Sequence, residues 1–178
     1  ECIMTTLSRQ RRDTSEVYFP TENYFNINKQ FTDDLIRSAE SAPRQRIRMC
    51  VHSNDDAEVH QMFIVHPGGA YVRPHKHNKK HESLLVLEGS ADYLLFSEAG
   101  KLEDRVELSD IQSGSSFFQI TPAGFYHSLI IKTRWLVFIE VTNGPFIRGE
   151  STFSPWSPEE GDIANVAEFL SKYTLTKQ

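Results

Sequence analysis

Between residues 45 and 145 the chain is a succession of short apolar runs broken by polar punctuation. Ile47, Met49 and Val51 alternate with Arg46, Arg48 and Cys50. Further runs lie at 62–65, 71–77, 83–87, 93–96, 117–120, 127–131 and 135–141, separated by Gly, Asn, Asp and Pro. They are rich in β-branched and aromatic residues, which fit a pleated, half-buried surface, and no helical pattern intervenes. This predicts an all-β protein, a sandwich, jelly roll or barrel. A short helix precedes it. Thr32 is placed as N-cap, Asp33 and Asp34 suit the positive end of the dipole, and Leu35, Ile36 and Ala39 share a face. Phe31 and Ile36 are spaced for a hydrophobic staple, and Pro43 ends the helix. A C-terminal helix follows from Ile163, Val166, Leu170 and Tyr173, with Ser157-Pro158-x-Glu160 as a capping box or Asp162 as the alternative cap. The expected organisation is an arm and short helix over 1–44, a barrel over 45–145, and a loop and helix over 146–178 packed on the barrel. The tail from 145 to 161 reads as loop, with Trp156 covering an apolar patch at the rim.

Composition narrows the function classes. With 178 residues the chain has room for one core. Lys and Arg total 19 against 24 Asp and Glu, a net charge of −5, which speaks against nucleic-acid and anionic-membrane partners. The apolar runs have strand length, so no membrane span is expected, and no secretory signal is visible. Cys2 and Cys50 are too few for a disulfide scaffold; a reduced, cytoplasmic protein is the expectation.

The seven histidines all fall between positions 52 and 127. In Pro74-His75-Lys76-His77 the two imidazoles stand two residues apart on a strand, hence on one face, as a metal half-site. Glu82 follows a polar loop and opens the next apolar run, so a hairpin-like return brings its carboxylate back to the rings. His127 follows a turn built on Pro122 and Gly124 and can reach the same centre. By parity His81 faces solvent, and His60 and His66, flanking the run 61–65, read as strand-end surface residues. Arg73 shares the parity of His75 and His77 and is a candidate for pairing an anionic substrate group. His52 and Lys76 are further substrate-binding candidates, Lys76 lying with Lys79 and Lys80 in a basic loop. Glu140 interrupts an apolar strand and needs a partner; with His52 it is a weak candidate for catalysis.

Gly69-x5-His75-x-His77-x4-Glu82-x6-Gly89 resembles the first conserved motif of the cupin superfamily at full spacing. Gly114 followed by Pro122-x-Gly124-x-x-His127 resembles the second, with a longer internal gap and without the usual downstream Asn. The resemblance implies a single double-stranded β-helix (jelly-roll) barrel holding one divalent transition metal ion on His75, His77, Glu82 and His127. Three imidazoles and one carboxylate suit Fe, Mn, Zn, Ni or Co and leave positions open. Over roughly residues 30–165 the chain is also similar to the WbuC family of cupin-fold metalloproteins, through Tyr71-Val72-Arg73-Pro74-His75, the stretch 138–146, and the tail Phe153-Ser154-Pro155-Trp156-Ser157-Pro158. That family is associated with bacterial polysaccharide (O-antigen) gene clusters. The resemblance therefore implies a metal-dependent enzyme acting on a sugar or sugar-nucleotide by isomerase- or epimerase-type chemistry. An Fe(II)-dependent dioxygenase and a non-catalytic module binding a small, anionic sugar ligand are the alternatives. A homodimer is plausible from the arm and the aromatic strands.

Overall fold

A computed structural model of the protein describes residues 11–12, 14–22, 26–147 and 149–174. Two sheets face each other. The first has seven strands in the order β1 (Arg11–Arg12), β2 (Val17–Phe19), β3 (Ile47–Cys50), β4 (Val59–Pro67), β11 (Trp135–Asn143), β6 (Glu82–Glu88) and β9 (Phe118–Thr121). The second has five, β12 (Ser151–Phe153), β5 (His75–His77), β10 (Tyr126–Ile131), β7 (Ser90–Phe96) and β8 (Leu102–Ser109). All pairings between strands are antiparallel except β2 with β3. This is the expected all-β jelly roll with one helix before it and one after.

Three apolar layers follow from strand alternation. Cys50, Met62, Ile64, Leu84, Val86 and Phe138 of the first sheet meet Tyr93, Leu129 and Ile131 of the second in the space between the sheets. On the outer face of the first sheet, Ile47, Met49, Val65 and Val137 take the apolar stripe of α1 (Lys29–Glu40), where Phe31 and Leu35 are fully buried. Each such burial contributes about 1.5–3 kcal/mol. On the outer face of the second sheet, α2 (Ile163–Thr174) lays Phe169 against Tyr71, Leu94, Phe96 and Tyr126. Trp156 joins that cluster, stacked near Phe169 and edge-on to Tyr126, so it packs at the rim as the sequence indicates.

Several local expectations are corrected. The cap of α1 is Asn28, whose side chain accepts from the Phe31 N–H at 3.1 Å; Thr32 lies inside the helix and donates to the Lys29 carbonyl. Phe31 and Ile36 are therefore both helical and form no staple. Asp162, the alternative cap, accepts from the Asn165 N–H at the start of α2. Of the run 71–77 only the last three residues pair as a strand. Strand β8 is absent from the apolar runs because half of its residues are charged and only Leu108 is buried. Strand β12 lies in the tail read as loop; it is recruited by β5, with Ser151 opposite His77 and Phe153 opposite His75. Cys50 is buried, and Cys2 lies outside the described residues, as does most of the arm before Thr14.

Candidate metal centre

Register brings the ligand candidates together. His75 pairs directly with His127 across β5 and β10, so two of the imidazoles meet without any side-chain rearrangement. The turn that delivers His127 holds Gly124 at φ +90°, a conformation that L side chains rarely adopt. The Gly124 N–H donates to the His77 carbonyl at 2.8 Å, tying the turn to the strand that carries the other two rings. Glu82 arrives from the opposite sheet, at the first position of β6. One ligating atom from each of His75, His77, Glu82 and His127 lies within 4.8 Å of all the others.

Each ring is oriented by its far nitrogen. Nδ1 of His75 donates to the Arg73 carbonyl at 2.9 Å, and Nδ1 of His127 to the Phe125 carbonyl at 2.9 Å. Because a carbonyl only accepts, these bonds place the proton on Nδ1 and the lone pair on Nε2. Nδ1 of His77 meets the Ser151 hydroxyl at 2.9 Å. On the near side, His77 Nε2 is 2.9 Å from Glu82 Oε2, and His127 Nε2 is 3.5 Å from Glu82 Oε1 and is buried without a hydrogen-bond partner. The Tyr93 ring stacks on His127 at 5.7 Å and its hydroxyl pairs with Thr121, closing the floor.

The electrostatics favour a cation. Burial alone raises the Glu82 carboxyl, but the His77 hydrogen bond and the fields of His127, His75 and His77 overcome it and bring the pKa down to about 2. Burial, then the neighbouring His127, lowers His75 to about 4, and burial likewise lowers His127. In His77 burial is outweighed by the hydrogen bond to Glu82, and the pKa rises. A buried carboxylate, two imidazoles whose tautomers the backbone fixes, a third paired with that carboxylate and an orphaned Nε2 form a donor set that fits a divalent ion of borderline N/O preference.

The remaining predicted residues divide. Arg73 shares a cavity of about 280 Å³ with His75, His77, Glu82 and His127. His52 lines an adjoining cavity of about 290 Å³, where its ring stacks on His60 at 4.0 Å. Lys76 lies outside the lining of both; its amine pairs with Glu98 and sits over the Tyr126 ring. His81 is exposed. His60 and His66 are not surface residues. Strand β4 runs nine residues and carries both to its inward face, where His60 Nε2 donates to the Asp55 carbonyl at 3.1 Å and His66 stacks near Phe138. Glu140 lines both cavities, as do Arg48, His77 and Ser151. It sits on β11 opposite Leu84, one strand and one inward step from Glu82. Among the described residues its carboxyl has no hydrogen-bond or ion-pair partner. Burial, then the charge of Glu82, raises its pKa to about 8.

Arg46, Arg48, His66 and Ser151 were not singled out by the sequence as parts of this chamber. The alternation of 46–51 already set Arg46, Arg48 and Cys50 on one face. Nothing local marks Ser151, which arrives through a long-range strand pairing.

A family model described as a domain of unknown function (DUF6016) matches residues 27–108. A search of curated proteins returns no match. Among solved structures, a protein from Shewanella oneidensis is similar with a TM-score of 0.55 and 13% identity, over 78% of this chain and 92% of that one. An uncharacterized conserved protein with a double-stranded β-helix domain from Klebsiella pneumoniae is similar with a TM-score of 0.52 and 17% identity, over 74% of this chain and 98% of that one. The 11S globulin procruciferin from Brassica napus aligns at TM-score 0.44 and 16% identity over 54% of this chain, which spans 23% of the globulin's length. The first two likenesses establish the double-stranded β-helix, or cupin, fold. That fold and the His/Glu group together support a metal-binding cupin. Among the described residues, no helix is long and apolar enough to cross a membrane.

Proposed function

We propose that this protein is a metal-dependent isomerase or epimerase acting on a sugar or sugar-nucleotide held inside the barrel. His75, His77, Glu82 and His127 would hold one divalent ion from the set Fe, Mn, Zn, Ni and Co. When bound, the ion supplies Lewis acidity to a carbonyl or hydroxyl oxygen of the substrate. The observation that carries the reading is Glu140, a carboxyl without a partner among the described residues, facing the same cavity as the four ligands. A group that holds its proton to about pH 8 in the free protein can give and accept one near neutrality, which proton transfer at a carbon beside a carbonyl requires. Arg73, beside His75, is placed to hold the substrate, and His52 extends the chamber on the far side of Glu140. The similarity to the WbuC family adds a setting, bacterial surface-polysaccharide synthesis; the cysteine usage adds the cytoplasm, and the arm and aromatic strands a homodimer.

The test is solvent exchange. Nucleotide-sugars and simple aldoses and ketoses are incubated in D₂O with the protein and each of the five metals in turn, and deuterium at carbon is followed by NMR. Wild type is expected to exchange at least one substrate, and Glu140→Gln to do so roughly 100-fold or more slowly. Exchange by Glu140→Gln at the wild-type rate refutes the role of Glu140. Turnover that stops under anaerobic conditions would replace this reading with the dioxygenase.

A further inference from the structure

The wall opposite the metal centre is positively charged. Arg48 lies on β3, whose inward face also carries Cys50; it is solvent-exposed, and its side chain lines both cavities. Among the described residues no hydrogen bond, ion pair or ring contact engages its guanidinium. Arg73 reaches the second cavity from the other sheet. Among the described residues its guanidinium has only the Ser157 hydroxyl and the Ser154 carbonyl, both at 3.4 Å, and the face of Phe153 at 5.0 Å. No carboxylate of the described residues pairs with either. The other cations of the chamber are already matched: Arg46 with Glu160 at 3.0 Å, and Lys80 with Glu150 at 3.4 Å. Of the acids, Glu82 faces the histidines, Glu150 pairs with Lys80 and Glu160 with Arg46, while Asp55 lines the first cavity without an ion pair to Arg48. Two guanidiniums are therefore left without a counter-charge, on a chain whose net charge is −5. The field of Arg48 is felt nearby, since it helps depress His66 and opposes the upward shift of Glu140.

Distance adds a size requirement. In the order β3-β4-β11-β6, Arg48 stands three strands from Glu82, roughly 14 Å of sheet width at the usual strand spacing. An Arg side chain covers part of that span, and the remainder suits a molecule of hexose size better than a bare anion.

We propose that the chamber selects a sugar bearing a carboxylate or a phosphate, with the anionic head on Arg48, supported by Arg73, and the hydroxyl end at the metal centre. Guanidinium binds both anions through paired N–H donors, so the shared chemistry is the planar or tetrahedral oxyanion. This inference rests on the reading of the barrel as a sugar chamber and supplies the substrate class that reading lacks. Arg48 is a specificity residue in this account and makes no contact with the four ligands.

The test is calorimetric binding of glucuronate, glucose 6-phosphate and neutral glucose to the full chain, with and without added metal, and with elemental analysis of the same samples. The expected result is binding of at least one of the two anions, with glucose at least tenfold weaker. Arg48→Gln should bind the anion roughly 10- to 100-fold less tightly, and Arg48→Lys should recover part of the loss, with metal content unchanged in both. Arg48 has no partner to lose, so both variants should keep the wild-type melting temperature, which is measured alongside. Preference for glucuronate or for glucose 6-phosphate assigns the head as carboxylate or phosphate. The inference is overturned if Arg48→Gln binds as tightly as wild type, if glucose matches its anionic derivatives, or if wild type binds neither anion. Those outcomes with metal content intact count against the anion subsite alone. Anion binding by a wild-type protein that takes up no metal counts against the metal-dependent reading and leaves the subsite standing.

Discussion

The barrel contains two close pairs of histidines, and they are built for different ends. His75 and His127 have ring centroids 4.5 Å apart, tilted by 56°, with each Nδ1 tied to a backbone carbonyl and a carboxylate set against the near side. His52 and His60 have centroids 4.0 Å apart and nearly parallel at 11°. Nδ1 of His52 accepts from the Gln61 N–H at 3.1 Å, and Nε2 of His60 lies 3.1 Å from the Asp55 carbonyl. In the first pair the free nitrogens converge on an anion. In the second the rings lie flat on one another, and no buried carboxylate is placed between them. Proximity alone does not make a metal site; the direction of the remaining lone pair and the charge it faces do.

The comparison can be broken by exchanging which pair is removed. His75→Ala/His77→Ala should reduce bound metal from about one equivalent to a trace by elemental analysis, whereas His52→Ala/His60→Ala should leave it at the wild-type level. Equal metal loss in both double variants would show that the stacked pair also ligates.

A third kind of histidine sharpens it. His66 has neither a carboxylate nor a stacked imidazole, and its buried Nδ1 lacks a partner. Burial, with the fields of Arg46, Arg48 and Arg44, lowers its pKa to about 3 against an ordinary value of 6.5. The unfolded chain therefore takes up a proton between these values that the folded chain refuses. The stability due to neutral His66 is complete above pH 6.5 and is lost as pH falls towards 3. At pH 5 the loss is about 2 kcal/mol. Chemical denaturation of His66→Gln should show a shallower decline between pH 7 and 5 than wild type, and parallel profiles would refute the assignment.

The smallest effect concerns the ring that no carbonyl holds. Ser151→Ala removes the hydroxyl at Nδ1 of His77 and should weaken metal binding roughly 10-fold in a competition titration. An unchanged affinity would mean that Glu82 alone orients His77.

What the sequence revealed and what it hid have a common cause. The ligand residues are legible because period-two alternation and motif spacing are local: His75 and His77 share a face whatever the rest of the chain does. The all-β class was legible for the same reason, through short apolar strands, and the double-stranded β-helix through the resemblance of the two motifs to those of the cupin superfamily. β8 was hidden because an edge strand with one solvated face carries Glu103, Asp104 and Glu107 and reads as polar. β12 was hidden because three residues become a strand only when β5 is beside them. The burial of His60 and His66 was missed because the apolar run 61–65 is shorter than the strand it belongs to, and a strand's ends take their environment from the sheet they cross. The cap of α1 was misplaced because Asn28 and Thr32 are both competent, and the choice was made by Phe31, which is buried only if the helix starts before it.

The bond from the Gly124 N–H to the His77 carbonyl has a consequence for how the protein is loaded. Together with the carbonyls of Arg73 and Phe125, it lets the main chain aim the rings, so their orientation is inherited from folding and does not wait for an ion. Such a cage binds last, after the chain has collapsed, and a chelator should strip it without unfolding the barrel, unlike a domain that folds around its metal. It also discriminates little by shape. Which ion it carries is then governed by the general ranking of divalent metals for nitrogen and oxygen donors and by what the surroundings supply when synthesis ends.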